Sequence, residues 1–304
     1  MYYSANIMVF VRGDQFIVFL KSLSEMRKEQ LRNYETVVHY TDKLASTVYY
    51  STALVTCAGV LESFVKQSYC NEKEFLNEKH YVCGCLLPLW FPFEINIPHF
   101  QPLCALYVFG FYLAQIPAMA SSVSLYLGSV EFILLKIEKL KEELKKVDFE
   151  NSNKEKVNTQ FMFCVKYYME ISSLVQEMND CVGYIFAPTH NANNNLMIGI
   201  LGYLAMKLTS IPNVLQLIIW IFVQWISCYS GQKLENASSS LRNEVNELPW
   251  YDMDTSLARI YKIFHSCVDS TFHMKIQPIM YMNMNNFSSI LKGAYSFFMC
   301  LLKM

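Results

Sequence analysis

Apolar stretches long enough to enter a bilayer recur along the chain, separated by runs of charge. A helix needs about 20 mostly apolar residues to span the hydrocarbon core. Six segments approach that requirement. The first, Ser4 to Leu20, is interrupted by Arg12, Asp14 and Gln15. The second, Ala45 to Val65, is clean except for Glu62. The third, Pro102 to Leu135, is long enough to cross and then continue beyond the membrane. The fourth, Leu196 to Ile211, is short and holds Lys207 near one end. The fifth, Val214 to Tyr229, is the most apolar, and the sixth runs from Phe287 to Leu302. Core helices of a soluble all-α protein would pass the same length test. The best segments, however, are apolar all round, whereas a water-facing helix carries an apolar stripe. The pattern predicts an all-α membrane protein.

Charge sets the orientation of that bundle. Lys136, Lys139, Lys141, Lys145, Lys146, Lys154 and Lys156 follow the third segment. Lys21, Arg27, Lys28, Arg32 and Lys43 follow the first, and Lys233, Arg242, Arg259, Lys262 and Lys275 follow the fifth. These three stretches alternate to one side, and positive charge marks that side as cytosolic. The loop from Gln67 to Gln101 holds only Lys73 and Lys79 and belongs outside, as does the C-terminus. Such an inverted topology with six spans puts Met1 outside, and one further helix upstream would return the N-terminus to the cytosol. An N-terminally incomplete chain, showing six spans of seven, is therefore expected. The cytosolic stretches themselves read as amphipathic helices. Ile137, Leu140, Leu144 and Val147 share a face, and Phe161, Val165, Tyr168, Ile171, Leu174, Val175 and Met178 share another. A polar break is expected between them at Asn151 to Asn158. Three regions follow: 1–230 as the transmembrane bundle, 231–286 as a cytosolic region, and 287–304 as the last helix.

Composition narrows the function classes. The chain of 304 residues is 53% hydrophobic and only 17% charged, against about 25% charge in a typical soluble domain. A net charge of -1 offers nothing to attract nucleic acid. The ten cysteines include no CxxC pair, and the six histidines include no HExxH, so neither a zinc site nor a metalloprotease helix is signalled. Cys70, Cys83 and Cys85 share the outer loop, where two of them can pair, and their spacing leaves open which. No phosphate-binding glycine loop or other enzyme motif occurs, and no cofactor is implied.

Four elements then carry a resemblance. Trp90, Phe91, Pro92, Phe93 and Glu94 stand in LPLWFPFE, from Leu87 to Glu94. Cys228, Gly231, Leu234 and Ser238 are spaced through CYSGQKLENASSSL. Pro249, Trp250 and Tyr251 follow, and FSSILKGAYSFFMCLL ends the chain. In this order and spacing the sequence resembles the insect odorant receptors, seven-helix odorant-gated channels of inverted topology. The resemblance covers nearly the whole chain. Tyr295-Ser296-Phe297-Phe298 stands where the related gustatory receptors carry Thr-Tyr…Gln-Phe, which favours the odorant branch.

The resemblance implies an odorant-binding subunit of a non-selective cation channel in the plasma membrane. Its partners would be a small volatile odorant, membrane lipid, and the shared odorant receptor co-receptor in a hetero-tetramer. A pocket between the membrane helices would draw on Leu61, Phe64, Phe111, Tyr112, Leu217 and Trp220, with Tyr112 and Gln224 as hydrogen-bonding candidates. The last helix would line the pore through Phe297, Cys300 and Leu301. Trp250 and Tyr251 would anchor the subunit interface, because aromatics dominate interface hot spots. Glu62, Gln115, Glu131, Lys207 and Gln224 are expected to face the bundle or the interface, and helix–helix hydrogen bonding is the simplest use of them. A gustatory-type channel is the alternative. A G-protein-coupled receptor conflicts with the outer C-terminus, and a transporter with the lack of repeated halves.

Overall fold

The computed structural model of the chain describes residues 21, 34–70, 81–82, 89–90, 100–149, 154–183, 186–208, 211–276 and 280–303. The expected first span, Ser4 to Leu20, lies outside them, as do Leu87, Pro88 and Phe91 to Glu94 of LPLWFPFE. Seven helices stand among the described residues: α1 (Tyr34–Cys70), α2 (Phe100–Lys145), α3 (Lys154–Val182), α4 (Phe186–Leu208), α5 (Ile211–Asn246), α6 (Thr255–Asp269) and α7 (Met284–Lys303). Two short antiparallel hairpins accompany them. β1 (Tyr81–Val82) pairs with β2 (Leu89–Trp90), and β3 (Lys275–Ile276) pairs with β4 (Met280–Tyr281).

The helices outrun the apolar segments that predict them. α2 continues through the Lys- and Glu-rich run to Lys145, since those residues are good helix formers. For the same reason α3 already begins at Lys154, inside the expected polar break. α4 begins at Phe186 and takes in the polar run His190 to Asn195, which hydropathy alone reads as loop. α5 runs unbroken through residue 230, the expected boundary of the transmembrane bundle, to Asn246. It stops just before Leu248-Pro249, where a proline disfavours helical backbone in the residue ahead of it. α6 is capped by Asp254, whose carboxylate accepts from the Leu257 N–H at 2.8 Å.

α5 is the hub, packing against α1, α2, α4, α6 and α7. Its two halves join two different cores. Trp220, Val223 and Ile226 pack with Val48 of α1, Leu127 of α2, Ile198 and Leu201 of α4, and Ile290 and Ala294 of α7. Cys228, Leu234, Leu241 and Val245 belong to a second core with the end of α2, most of α3, α6 and the 272–282 segment. The periodicity read from sequence is realised there. Ile137, Leu140, Phe161, Ile171 and Met178 are fully enclosed, and Val165 packs against them. Rings reinforce this core: Phe264 meets Phe161 and Tyr168 edge-on at 5.7 and 5.4 Å. The Tyr168 hydroxyl donates to the Cys267 carbonyl at 2.7 Å, and burial pushes its pKa up to about 12, so it stays neutral.

Among the described residues, α5 is the one helix long and apolar enough to cross a membrane by length and composition. Its exposed side is as apolar as its buried side: Leu215, Ile218, Phe222 and Trp225 all face outward. Phe222, Trp225 and Tyr229 stack on one another along that side. A surface of that kind suits lipid and not water.

Candidate functional site

The first half of α5 presents Gln216, Trp220, Val223, Gln224 and Ser227 inward, at helical spacing. Gln224 is completely buried and its amide is spent on neighbours. It accepts from Asn194 Nδ2 through Oε1, and its Nε2 donates to Asn191 Oδ1 at 2.9 Å and towards Cys228 Sγ at 3.3 Å. Asn194 Nδ2 also lies 3.0 Å from His190 Nε2, which therefore accepts, since an amide nitrogen only donates. This network ties α4 to α5 and explains why the polar start of α4 folds as helix. Gln224 is thus a helix–helix bond, as the simpler expectation had it. Glu131 of α2 behaves alike, pairing with Lys233 of α5.

Trp220 and Gln216 differ from Gln224. Both are buried, yet among the described residues the Trp220 indole Nε1 and the Gln216 Oε1 have no hydrogen-bond partner. Leu217 packs beside them, half-buried, against the same cluster. Leu61 does not join this group; it is 66% exposed on α1. Phe64 belongs to α1 and Phe111 and Tyr112 to α2, but their side chains lie outside the described residues. Sequence reasoning missed Gln216, Asn191, Asn194 and His190. The signal was available in the run of amides opening α4, which a lipid-facing helix would not carry.

α7 has two unlike faces. Ile290 and Ala294 are buried in the bundle core. Phe297 lies against α4, where a side chain on Gly199 would come within 2.5 Å of its ring. The opposite, exposed face carries Asn285, Ser288, Ser289, Lys292, Ser296 and Cys300 together with the ring of Tyr295, and among the described residues Lys292 makes no ion pair. Of the three residues expected on the pore face, Cys300 is exposed, Leu301 is half-buried, and Phe297 is taken up by α4. A helix that is polar on its exposed face needs water there.

Below the bundle, the residues of CYSGQKLENASSSL acquire a reason. Cys228, Gly231, Leu234 and Ser238 are all buried, and Gly231 and Ser238 meet the segment before α7. The Ser238 hydroxyl accepts from the Phe272 N–H at 2.9 Å, and a Cβ on Gly231 would collide with the Met282 carbonyl oxygen. Beyond them Trp250 and Tyr251 stand 56% and 73% exposed at the turn between α5 and α6, ring centroids 6.1 Å apart. Trp250, Tyr261, Lys262 and His265 line a surface cavity of about 290 Å³ there.

With this geometry in place, three comparisons bear on the chain. A model of the family described as 7tm Odorant receptor matches residues 7–295. The solved structure of the insect olfactory receptor OR5 from Machilis hrabei is similar, with a TM-score of 0.64, 14% identity, and coverage of 97% of this chain and 76% of that one. The same receptor in complex with eugenol gives a TM-score of 0.63 at 14% identity, covering 99% of this chain and 79% of that one. At such identity these two matches speak for the fold alone, an all-α receptor bundle. No curated protein is significantly similar to the chain.

Proposed function

Since the chain belongs to the 7tm odorant receptor family, we propose that it is the odorant-binding subunit of a ligand-gated, non-selective cation channel. It assembles with the odorant receptor co-receptor as a hetero-tetramer in the plasma membrane, with its C-terminus outside. The observation that carries this reading is the two-faced α7, buried through Ile290 and Ala294 and polar through Ser288, Lys292 and Ser296. An unpaired lysine on a membrane helix requires water beside it, and a shared axial pore supplies that water. Odorant binding fits the buried face of α5, where Leu217 and Trp220 supply apolar lining beside α4 and α1. The similar structure of olfactory receptor OR5 holds eugenol in complex. Trp250 and Tyr251 serve the contact with neighbouring subunits.

The test is electrical. Cells expressing the chain together with the co-receptor should pass odorant-evoked cation current that cells expressing either subunit alone do not reproduce. A tag after Met304 should stain on intact cells. Current that never depends on this chain, over a broad odorant panel, would defeat the proposal.

A further inference from the structure

Gln216 and Trp220 sit one turn apart on α5, so their side chains lie side by side, with Cβ atoms about 5–6 Å apart. Their polar atoms are complementary. The Trp220 indole offers one N–H donor, and the Gln216 side-chain oxygen offers an acceptor. Both atoms are enclosed, and both lack a partner among the described residues. That is unusual, because buried polar groups nearly always find one. The neighbouring Gln224, by contrast, spends its amide on Asn191 and Asn194, although Asn194 Oδ1 is itself left without a partner among the described residues. The open pair lies closer than that network to the Ile211 end of α5, the outer end in the proposed topology.

We propose that Trp220 and Gln216 form the polar end of the odorant site and select a hydroxyl-bearing odorant, an alcohol or a phenol. This rests on the odorant-receptor reading above and adds the ligand class. A hydroxyl oxygen accepts from the indole N–H while its proton goes to the Gln216 oxygen, so one group satisfies both atoms. An ether or a carbonyl accepts but cannot donate, and leaves Gln216 unpaired. A hydrocarbon leaves both unpaired. An amine could make both bonds, but it is protonated in water, and a lone ammonium is too costly to carry into an apolar site. The remaining lining, Leu217 with the Ile198 and Leu201 side of the cluster, is apolar and receives the odorant skeleton.

The experiment uses the full chain with the co-receptor and odorants in matched sets: an alcohol, its methyl ether and the corresponding hydrocarbon, over a range of skeletons. In the unaltered receptor the best alcohol should act at about tenfold lower concentration than its ether or hydrocarbon partner. Trp220→Phe keeps the aromatic plane without the N–H, and Gln216→Met keeps the length without the oxygen. Gln216→Met should bring the alcohol to the level of its ether, whereas Trp220→Phe should weaken alcohol and ether alike, since both accept from the indole N–H. Equal sensitivity of the unaltered receptor to alcohol and ether overturns the proposal without recourse to any variant. An alcohol preference that survives Gln216→Met, or an ether response that Trp220→Phe leaves untouched, overturns the assignment to this pair. Currents that discriminate other features leave the receptor reading standing, whereas no current from any odorant removes that reading and this inference together.

Discussion

Gly231 is where the size of a single side chain decides whether α5 and the segment before α7 can meet. Its Cα faces the Met282 carbonyl so closely that one added methyl group collides with backbone, which cannot swing aside. Gly231→Ala is expected to destabilise by about 1–3 kcal/mol, the usual range for overpacking, or to prevent folding. Gly110→Ala is the control, because a Cβ there meets nothing within 4 Å and a mid-helix glycine is itself unfavourable. Thermal unfolding of the detergent-solubilised protein separates them: the first variant should melt lower and the second no lower than the parent. An unshifted melting point for Gly231→Ala would mean that α5 does not approach the 282 segment so closely. The same residue shows what a sequence can and cannot convey. The spacing of Cys228, Gly231, Leu234 and Ser238 is legible as one helical face. That the face is held against Phe272 and Met282 is not, because those partners are distant along the chain.

At the scale of elements, legibility follows periodicity. α3 and the end of α2 read correctly because their apolar residues recur at helical spacing and all go to one core. The start of α4 does not, because its amides are matched by Gln224, 30 residues beyond Asn194. Hydropathy counts a polar residue as exposed whether or not a partner waits for it. α7 lies between these cases. Its ends are legible, but the slot that Gly199 leaves for the Phe297 ring is not, because the two residues stand on different helices far apart along the chain. The pore reading of α7 predicts a period. With the exposed Cys57 replaced by Ala, a charged thiol reagent applied outside should alter odorant-evoked current through native Cys300. The same should hold for cysteines placed at Ser288, Lys292 and Ser296, faster when channels are open. Cysteines at Ile290 and Ala294, both buried in the bundle core, should stay silent. Modification without that helical period would take α7 away from the pore.

The molecule as a whole is two packed bodies threaded by one helix, and this division bears on assembly. The bundle around Trp220 and Val223 takes segments from α1, α2, α4, α5 and α7, while the core around Phe161 and Leu234 takes its segments from below. In the channel proposed above, a bundle that faces lipid on one side and a pore on the other leaves the second body for holding neighbours. That body carries Trp250 and Tyr251 on its surface, more than half exposed, beside the cavity formed with Tyr261, Lys262 and His265. Neither ring contributes to either core, so truncating them should change the stability of the single chain by no more than about 0.5 kcal/mol. Buried in a subunit contact, each would count for about 2 kcal/mol or more, as aromatic anchors do. Trp250→Ala combined with Tyr251→Ala should therefore leave the chain folded and expressed but abolish its co-purification with the co-receptor. Lys262→Ala should weaken the contact far less, since a charge at the rim of an interface contributes little to affinity. Recovery of the intact complex from the double variant would show that the exposed pair serves another purpose. Loss of the chain itself, with no complex to examine, would place the two rings in folding rather than in assembly.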